Sequence, residues 1–378
     1  MRHRDAVRTT RIGSGARLVA GVAALATLAA CGSASTPASK PAATPTGTHT
    51  VVDMSGRSVT LPNHVTRIAS AYPALAESML LLGAAKDLVA TSPGPGPFFN
   101  VIDPAFAKVP QPFDQSSNIV NMEALLTARP QVVFASSPAL VTPLTQVGIP
   151  VVVFSVFTGP RQIKQSGDLI AKIVGTPSAL SRARKFDQYY DGNVAEVTAK
   201  TKSLPAAQQP VVYYTAANPL QTEGGGSIVT TWVNEAGAQN AAAIHGISAP
   251  PTFATPSLEV VVSWNPDFIV CRDAATVQQI LSDPAWSSVT AVKNHAVYAA
   301  PEGVFDWPVR SLEAALQPLW AAKTFHPDLF ASINLVQSVK SFYSEFYSYN
   351  ASPAQAQAIL DRTPIPTSNA ATPTSTPS

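Results

Sequence analysis

Two hydrophobic rhythms run along this chain. Val132-Val-Phe-Ala135 and Val151-Val-Val-Phe154 are wholly apolar runs of strand length, as expected for strands buried on both faces. Between them, Pro138 to Val147 carries a helical period and stops at Gly148. Upstream, Arg67 to Ala71 reads as a strand, and Tyr72-Pro73 opens a helix running through Glu77 and Met79 to Leu82. Strands separated by helices of this length predict βαβ units, with a parallel sheet covered on both faces.

Residues 178 to 203 interrupt the rhythm. Ala179, Ala183, Phe186, Tyr190, Val194 and Val197 recur at helical spacing with no proline among them. A helix of about 26 residues would be about 39 Å long, comparable with a domain diameter. It reads as a rigid strut, ended by Pro205 and Pro210. Beyond it the strand–helix alternation resumes with Val211 to Tyr214, a helix from Trp232 to Gly237 and a strand at Val297 to Ala299. Helices then follow at Val309 to Thr324, Leu335 to Tyr347 and Pro353 to Leu360, read as an extension of the second half.

One unit occurs twice. Asn121 to Phe134 and Ser257 to Val270 each hold a polar cap residue, an apolar residue and a glutamate, then a helical run, a proline, a polar residue and a strand. Glu123 and Glu259 occupy the same place, 136 residues apart. A repeat at that distance predicts two similar lobes. An acid in the first helical turn also suits the helix dipole.

Composition matters most at the ends. Residues 1–30 hold five arginines and one acid ahead of an apolar stretch, Leu18 to Ala30, too short to span a bilayer comfortably. The order is that of a secretory signal, and Leu28-Ala-Ala-Cys31 resembles a bacterial lipobox, which would make Cys31 a lipidated N-terminus. Without this leader the chain has 20 basic and 22 acidic residues, so nothing points to nucleic acid. Residues 31–50 and 363–378 are rich in Ser, Thr, Pro and Ala and read as a disordered tether and tail. The remainder divides into a first lobe, 51–177, the linking helix, 178–204, and a second lobe with its helical extension, 205–362. Cys271, closing an apolar strand, reads as a small core residue.

Several segments together resemble the class III solute-binding proteins of ABC importers, which handle ferric siderophores, haem, cobalamin and other metal complexes. The matching stretches are Arg67 to Glu77 with Leu82-Gly-Ala84, both copies of the repeat, Trp232 to Gly237, and Asp283-Pro-Ala-Trp286 running to Ala291-Val-Lys-Asn-His-Ala-Val-Tyr298. The resemblance implies two α/β lobes bridged by one long helix, ligand in the cleft between them, and no catalysis. It implies that Glu123 and Glu259 dock onto arginines of a membrane permease, itself coupled to an ATPase. It further implies a monomer held on the outer face of the cytoplasmic membrane by the lipid anchor.

Ligands of such sheets sit beyond the carboxyl ends of the strands. Candidates there are Tyr72, Phe98, Phe99, Phe113 and Asn118 in the first lobe, and Tyr214, Glu223, Arg272, Phe305, Trp307 and Arg310 in the second. Arginine binds oxyanion groups bidentately and rings supply contact area. Arg161 is a further candidate cation. The histidines outside the leader and tether, His64, His245, His295 and His326, show no metal-ligand spacing, so no directly bound metal and no cofactor is expected. The leading ligand is a ferric siderophore, with haem, cobalamin or an oxyanion such as molybdate as alternatives. A signalling or scavenging lipoprotein and an enzyme are the rival classes; the chain has no Gly-x-Ser-x-Gly elbow, phosphate loop or His-Glu-x-x-His.

Overall fold

The computed structural model describes residues 47–366 apart from 95, 115–116, 156 and 249–252. The leader, Cys31, most of the tether and the last part of the tail lie outside the described residues. The tether is shorter than its composition suggests. β1 (Thr48–Val52) pairs antiparallel with β2 (Ser58–Pro62), so residues 48–50 are strand. The β-branched Thr and Val residues supply the propensity. Asp53 fixes the turn, its carboxylate accepting from the backbone of Ser55, Arg57 and Val153 while paired with Arg57 at 2.6 Å.

The first lobe continues through β3 (Ile68–Ser70), α1 (Pro73–Leu81), β4 (Leu88–Thr91), α2 (Pro97–Ile102), β5 (Phe113–Asp114), β6 (Ile119–Val120), α3 (Met122–Ala128), β7 (Val132–Ala135), α4 (Val141–Gln146) and β8 (Val151–Val153). Its sheet is parallel, ordered β4-β3-β7-β8. After α5 (Pro160–Val174) and α6 (Pro177–Thr201) come β9 (Val211–Thr215), α7 (Ile228–Glu235), β10 (Gln239–Asn240), α8 (Ala241–Ile244), α9 (Leu258–Trp264), β11 (Phe268–Cys271), α10 (Ala274–Ser282), α11 (Thr290–Lys293) and β12 (Val297–Ala299). This second sheet is also parallel, ordered β10-β9-β11-β12, the same arrangement as the first.

The repeated unit has a physical reason at each position. α3 and α9 each span seven residues and end on a left-handed residue, Arg129 at φ 47° and Asn265 at φ 45°. The prolines that follow, Pro130 and Pro266, stop further helix. The polar residue after each proline then clamps the start of the neighbouring strand. Gln131 Oε1 accepts from the Thr66 and Arg67 amides, and Asp267 Oδ2 accepts from the Val211 amide.

α6 begins at the Thr176 cap and runs for 25 residues, burying Ala179, Ala183, Phe186, Tyr190 and Val197 along one face. Its last turn presses on Gly237, at φ 75°, where a Cβ would come within 2.7 Å of Thr201 Cβ. Only glycine suits that position.

The C-terminal part departs from the expected extension of the second lobe. The helix expected from Val309 begins later: a single 3-10 segment covers Leu312–Leu316 and α12 spans Gln317–Phe325. α13 (Leu335–Tyr347) and α14 (Pro353–Asp361) complete the fold. α13 crosses to the first lobe and the linking helix. Phe98 packs on Tyr343 and Tyr349, Phe186 packs on Phe346, and Arg182 Nη1 donates to the Phe346 carbonyl at 2.6 Å. One hydrophobic core consequently runs from β2 through α6 to α14. The described start of the tail is also held, since Gln355 Nε2 donates to the Pro366 carbonyl and Ile365 packs against this core.

Candidate functional site: a charged constellation at the strand ends

β3 ends just before Tyr72, β9 carries Tyr214, and Arg272 directly follows β11. The loop after β12 brings Phe305, Asp306 and Arg310 to the same place. Tyr72 meets Phe305 edge-on at 6.0 Å, joining the two lobes, and Ala74 and Val309 complete this small apolar contact. The strand geometry thus unites Tyr72, Tyr214, Arg272 and Arg310, with Glu223 behind Arg310.

The two arginines differ. Arg272 is committed: its Nε and Nη2 both donate to Asp306 Oδ2, at 2.9 and 2.7 Å. Burial works against its charge, but Asp306 more than offsets this and raises its pKa. Asp306 is in turn held by Arg362, which also pairs with Glu302 at 2.9 Å. Arg310 lies 3.7 Å from the Glu223 carboxylate, beyond hydrogen-bond reach, and its other polar partner among the described residues is the Tyr72 hydroxyl. With no carboxylate at hydrogen-bond distance, Arg310 is the less committed of the two cations. Burial raises the Tyr72 hydroxyl pKa, opposed first by Arg310 and then by Arg272. Burial likewise raises Tyr214 and Glu223, Glu223 against the pull of both arginines.

Two buried polar atoms here lack a hydrogen-bond partner: Tyr214 Oη and Glu223 Oε1. Buried polar groups are nearly always bonded, so such a cluster marks a place built for something else to bind. α1 starts at the same spot: its cap residue Tyr72 makes no side-chain capping bond, and the Leu75 and Ala76 amides donate to the Tyr72 carbonyl. A cavity of about 90 Å³, lined by Tyr72, Phe113, Asn118, Ser136 and Ser137 among others, opens beside Tyr72. A larger concavity of about 830 Å³ lies elsewhere, between β12 and the C-terminal helices.

The other candidates fall elsewhere. Phe98 and Phe99 are 1% and 0% exposed and belong to the core, Phe99 stacking on Phe106 at 3.8 Å. The Pro-Gly stretch around them looks like a binding loop in sequence, yet both rings sit on α2 and turn inward. The Trp307 ring is buried too. Arg161 is exposed on the first turn of α5. Among the described residues no group of three or more His, Cys, Asp or Glu is placed to hold a metal ion.

Two carboxylates missed by the sequence reading lie beneath the cleft. Glu77, fully buried on α1, accepts from Tyr347 Oη at 2.6 Å and the Leu312 amide at 3.1 Å. Glu313 accepts from Tyr343 Oη at 2.5 Å and from the Val304 and Phe305 amides. Burial and then Glu313 push Glu77 up to about 8, and burial pushes Glu313 to about 7. The available signal was a single acid inside the otherwise apolar helix Pro73-Ala-Leu-Ala-Glu-Ser-Met-Leu-Leu81.

Two lobes of matching strand order on one long helix, with polar groups converging at the strand ends, define a class III solute-binding protein, the substrate-binding component of an ABC importer. Residues 68–303 match the periplasmic binding protein family, and the chain belongs to it. It is 29% identical over 333 residues to the molybdate-binding protein MolA of Haemophilus influenzae, covering 81% of this chain and 93% of that protein. MolA bound to molybdate superimposes with a TM-score of 0.72 at 26% identity, covering 80% of this chain and 99% of that one. A periplasmic solute-binding protein of Veillonella parvula gives a TM-score of 0.70 at 25% identity, with 84% and 97% covered. The uncharacterised ABC transporter substrate-binding lipoprotein YvrC of Bacillus subtilis is 23% identical, covering 74% of this chain and 86% of its own length.

Proposed function

We propose that this protein captures a small tetrahedral oxyanion of the molybdate type and hands it to an ABC permease. The observation that carries the reading is Arg310, a cation beside the Tyr72 hydroxyl at the strand ends with no carboxylate at hydrogen-bond distance. The relationship to MolA supports the same chemistry. A ferric siderophore, the leading expectation from sequence, is accordingly replaced by its oxyanion alternative.

Calorimetric titration with molybdate, tungstate, sulfate, phosphate, a ferric siderophore, haem and cobalamin tests the reading. Molybdate or tungstate is expected to saturate the protein at micromolar levels or below. Arg310→Ala should weaken that binding about 100-fold, the scale for removing one partner of a desolvated charge pair. Saturation by the siderophore with silence from the oxyanions overturns the proposal.

Delivery completes the function. Glu123 and Glu259 are exposed on the first turns of α3 and α9, equivalent places on the two lobes, which suits paired contacts with a permease. Anchoring through a lipid on Cys31 belongs to the same reading, supported by the basic, apolar and small-residue order ahead of it. Mass spectrometry of the membrane-associated protein should find a diacylglyceryl cysteine as the first residue, and an unmodified residue 31 would refute the anchor.

A further inference from the structure

Glu223 stands out in a site read as anion-binding. It is 4% exposed, and its neighbourhood leaves it little room to withdraw. Asn240 Nδ2 donates to its carbonyl, and Thr230 Oγ1 donates to the next carbonyl, that of Gly224. A Cβ on Gly224 would meet the Ile247 carbonyl oxygen at 2.1 Å, so backbone packs directly on backbone here. The backbone that carries the carboxylate is thus fixed, and its Oε1 is buried without a hydrogen bond, 3.7 Å from Arg310.

The charged groups around it are few. Arg310 and Asp306 come from the loop after β12, Arg272 from the end of β11, and Tyr214 from β9, while Tyr72 reaches in from the first lobe. Arg272 and Asp306 largely satisfy each other. Contacts from α7 and β10 are uncharged, through Thr230 and Asn240. A dianion on Arg310 would therefore face the Glu223 carboxylate, and the other cation acting on it among the described residues, Arg272, is already bonded to Asp306.

We propose that Glu223 makes oxyanion capture proton-linked, so that a dianion is held at Arg310 only together with one proton shared between ligand and carboxyl. This rests on the oxyanion reading above. The proton comes from solvent and no covalent bond to the ligand changes. On the carboxyl, it turns an acceptor that repels the ligand into a donor facing one ligand oxygen. Raising of Glu223 by burial lowers the cost of that protonation. Affinity then falls as pH rises, and Glu223 acts as a specificity residue, favouring oxyanions that accept or carry a proton.

The test uses the full chain and sodium molybdate, a dianion near neutral pH. Calorimetry at one pH in two buffers of different ionisation enthalpy counts protons. The expected result is uptake approaching one proton per molybdate, with apparent affinity falling by up to about tenfold per pH unit on the alkaline side. Glu223→Gln should abolish both the uptake and the pH slope, and should bind more tightly than wild type at pH 8.5. Molybdate binding by wild type without proton uptake overturns this proposal alone, and so does a slope that survives in Glu223→Gln. No molybdate binding at all overturns the oxyanion reading together with it.

Discussion

Replacing Glu123 and Glu259 by lysine together will stop uptake of labelled molybdate by cells that depend on this protein, while the purified variant binds ligand as wild type does. Both acids are exposed and sit on seven-residue helices. Neither belongs to the group formed by Tyr72, Tyr214, Glu223, Arg272 and Arg310, so ligand affinity has no reason to change. Reversal turns attraction to a basic permease surface into repulsion, and electrostatic steering alone changes association rates by about 10- to 1,000-fold. Each single reversal should leave partial transport, because on the proposed docking role the other lobe would keep its contact. Full transport by the double variant would remove the docking role. Loss of ligand binding in that variant would mean that the helices serve the cleft rather than the membrane.

Thermal stability is the second place where a large effect is expected. Glu77 rises from an ordinary 4.5 to about 8 in the folded protein, and Glu313 and Glu235 to about 7, burial being the first cause in each case. A folded state that holds protons more tightly than the unfolded chain loses stability as pH rises between the two values. The contribution is complete below about pH 4.5 and declines through about pH 8. Within that window each fully linked group costs up to about 1.4 kcal/mol per pH unit. The unfolding midpoint should therefore drop, on the order of 5 °C or more, between pH 5.5 and 8.5. Glu77→Gln mimics the protonated acid, since its amide donates to Tyr347 while its oxygen accepts from the Leu312 amide. Its midpoint should vary less with pH and exceed that of wild type at pH 8.5. A wild-type profile that stays level across this range would refute the buried-acid argument.

Much of the framework was readable because it is written locally. The period of 178–203, the apolar strand runs and the doubled Asn121/Ser257 unit each depend on neighbours within about one turn or one strand. The repeat even predicted matching detail, as the Gln131 and Asp267 clamps show. The grouping of side chains at the strand ends was half readable. Strand-end position nominated Tyr72, Tyr214, Arg272 and Arg310, but not which arginine is spent. That depends on Asp306, 34 residues from Arg272, and on Arg362, 56 residues beyond Asp306. Phe98 and Phe99 misled because a Pro-Gly loop carries no sign of which way its rings turn. Their partners include Tyr343 and Tyr349 on a segment assigned to the other lobe.

The crossing of α13 has a bearing on how the chain reaches this state. The Tyr347–Glu77 bond closes a loop of 270 residues, and the Arg182–Phe346 bond one of 164. Contacts of such separation make folding slow, because chain closure must precede the interactions that reward it. Glu77 gains its tyrosine partner only when the final helices exist, so the first lobe's interior is expected to be completed last. A chain that finishes folding only when nearly all of it is made suits threading through a membrane beforehand.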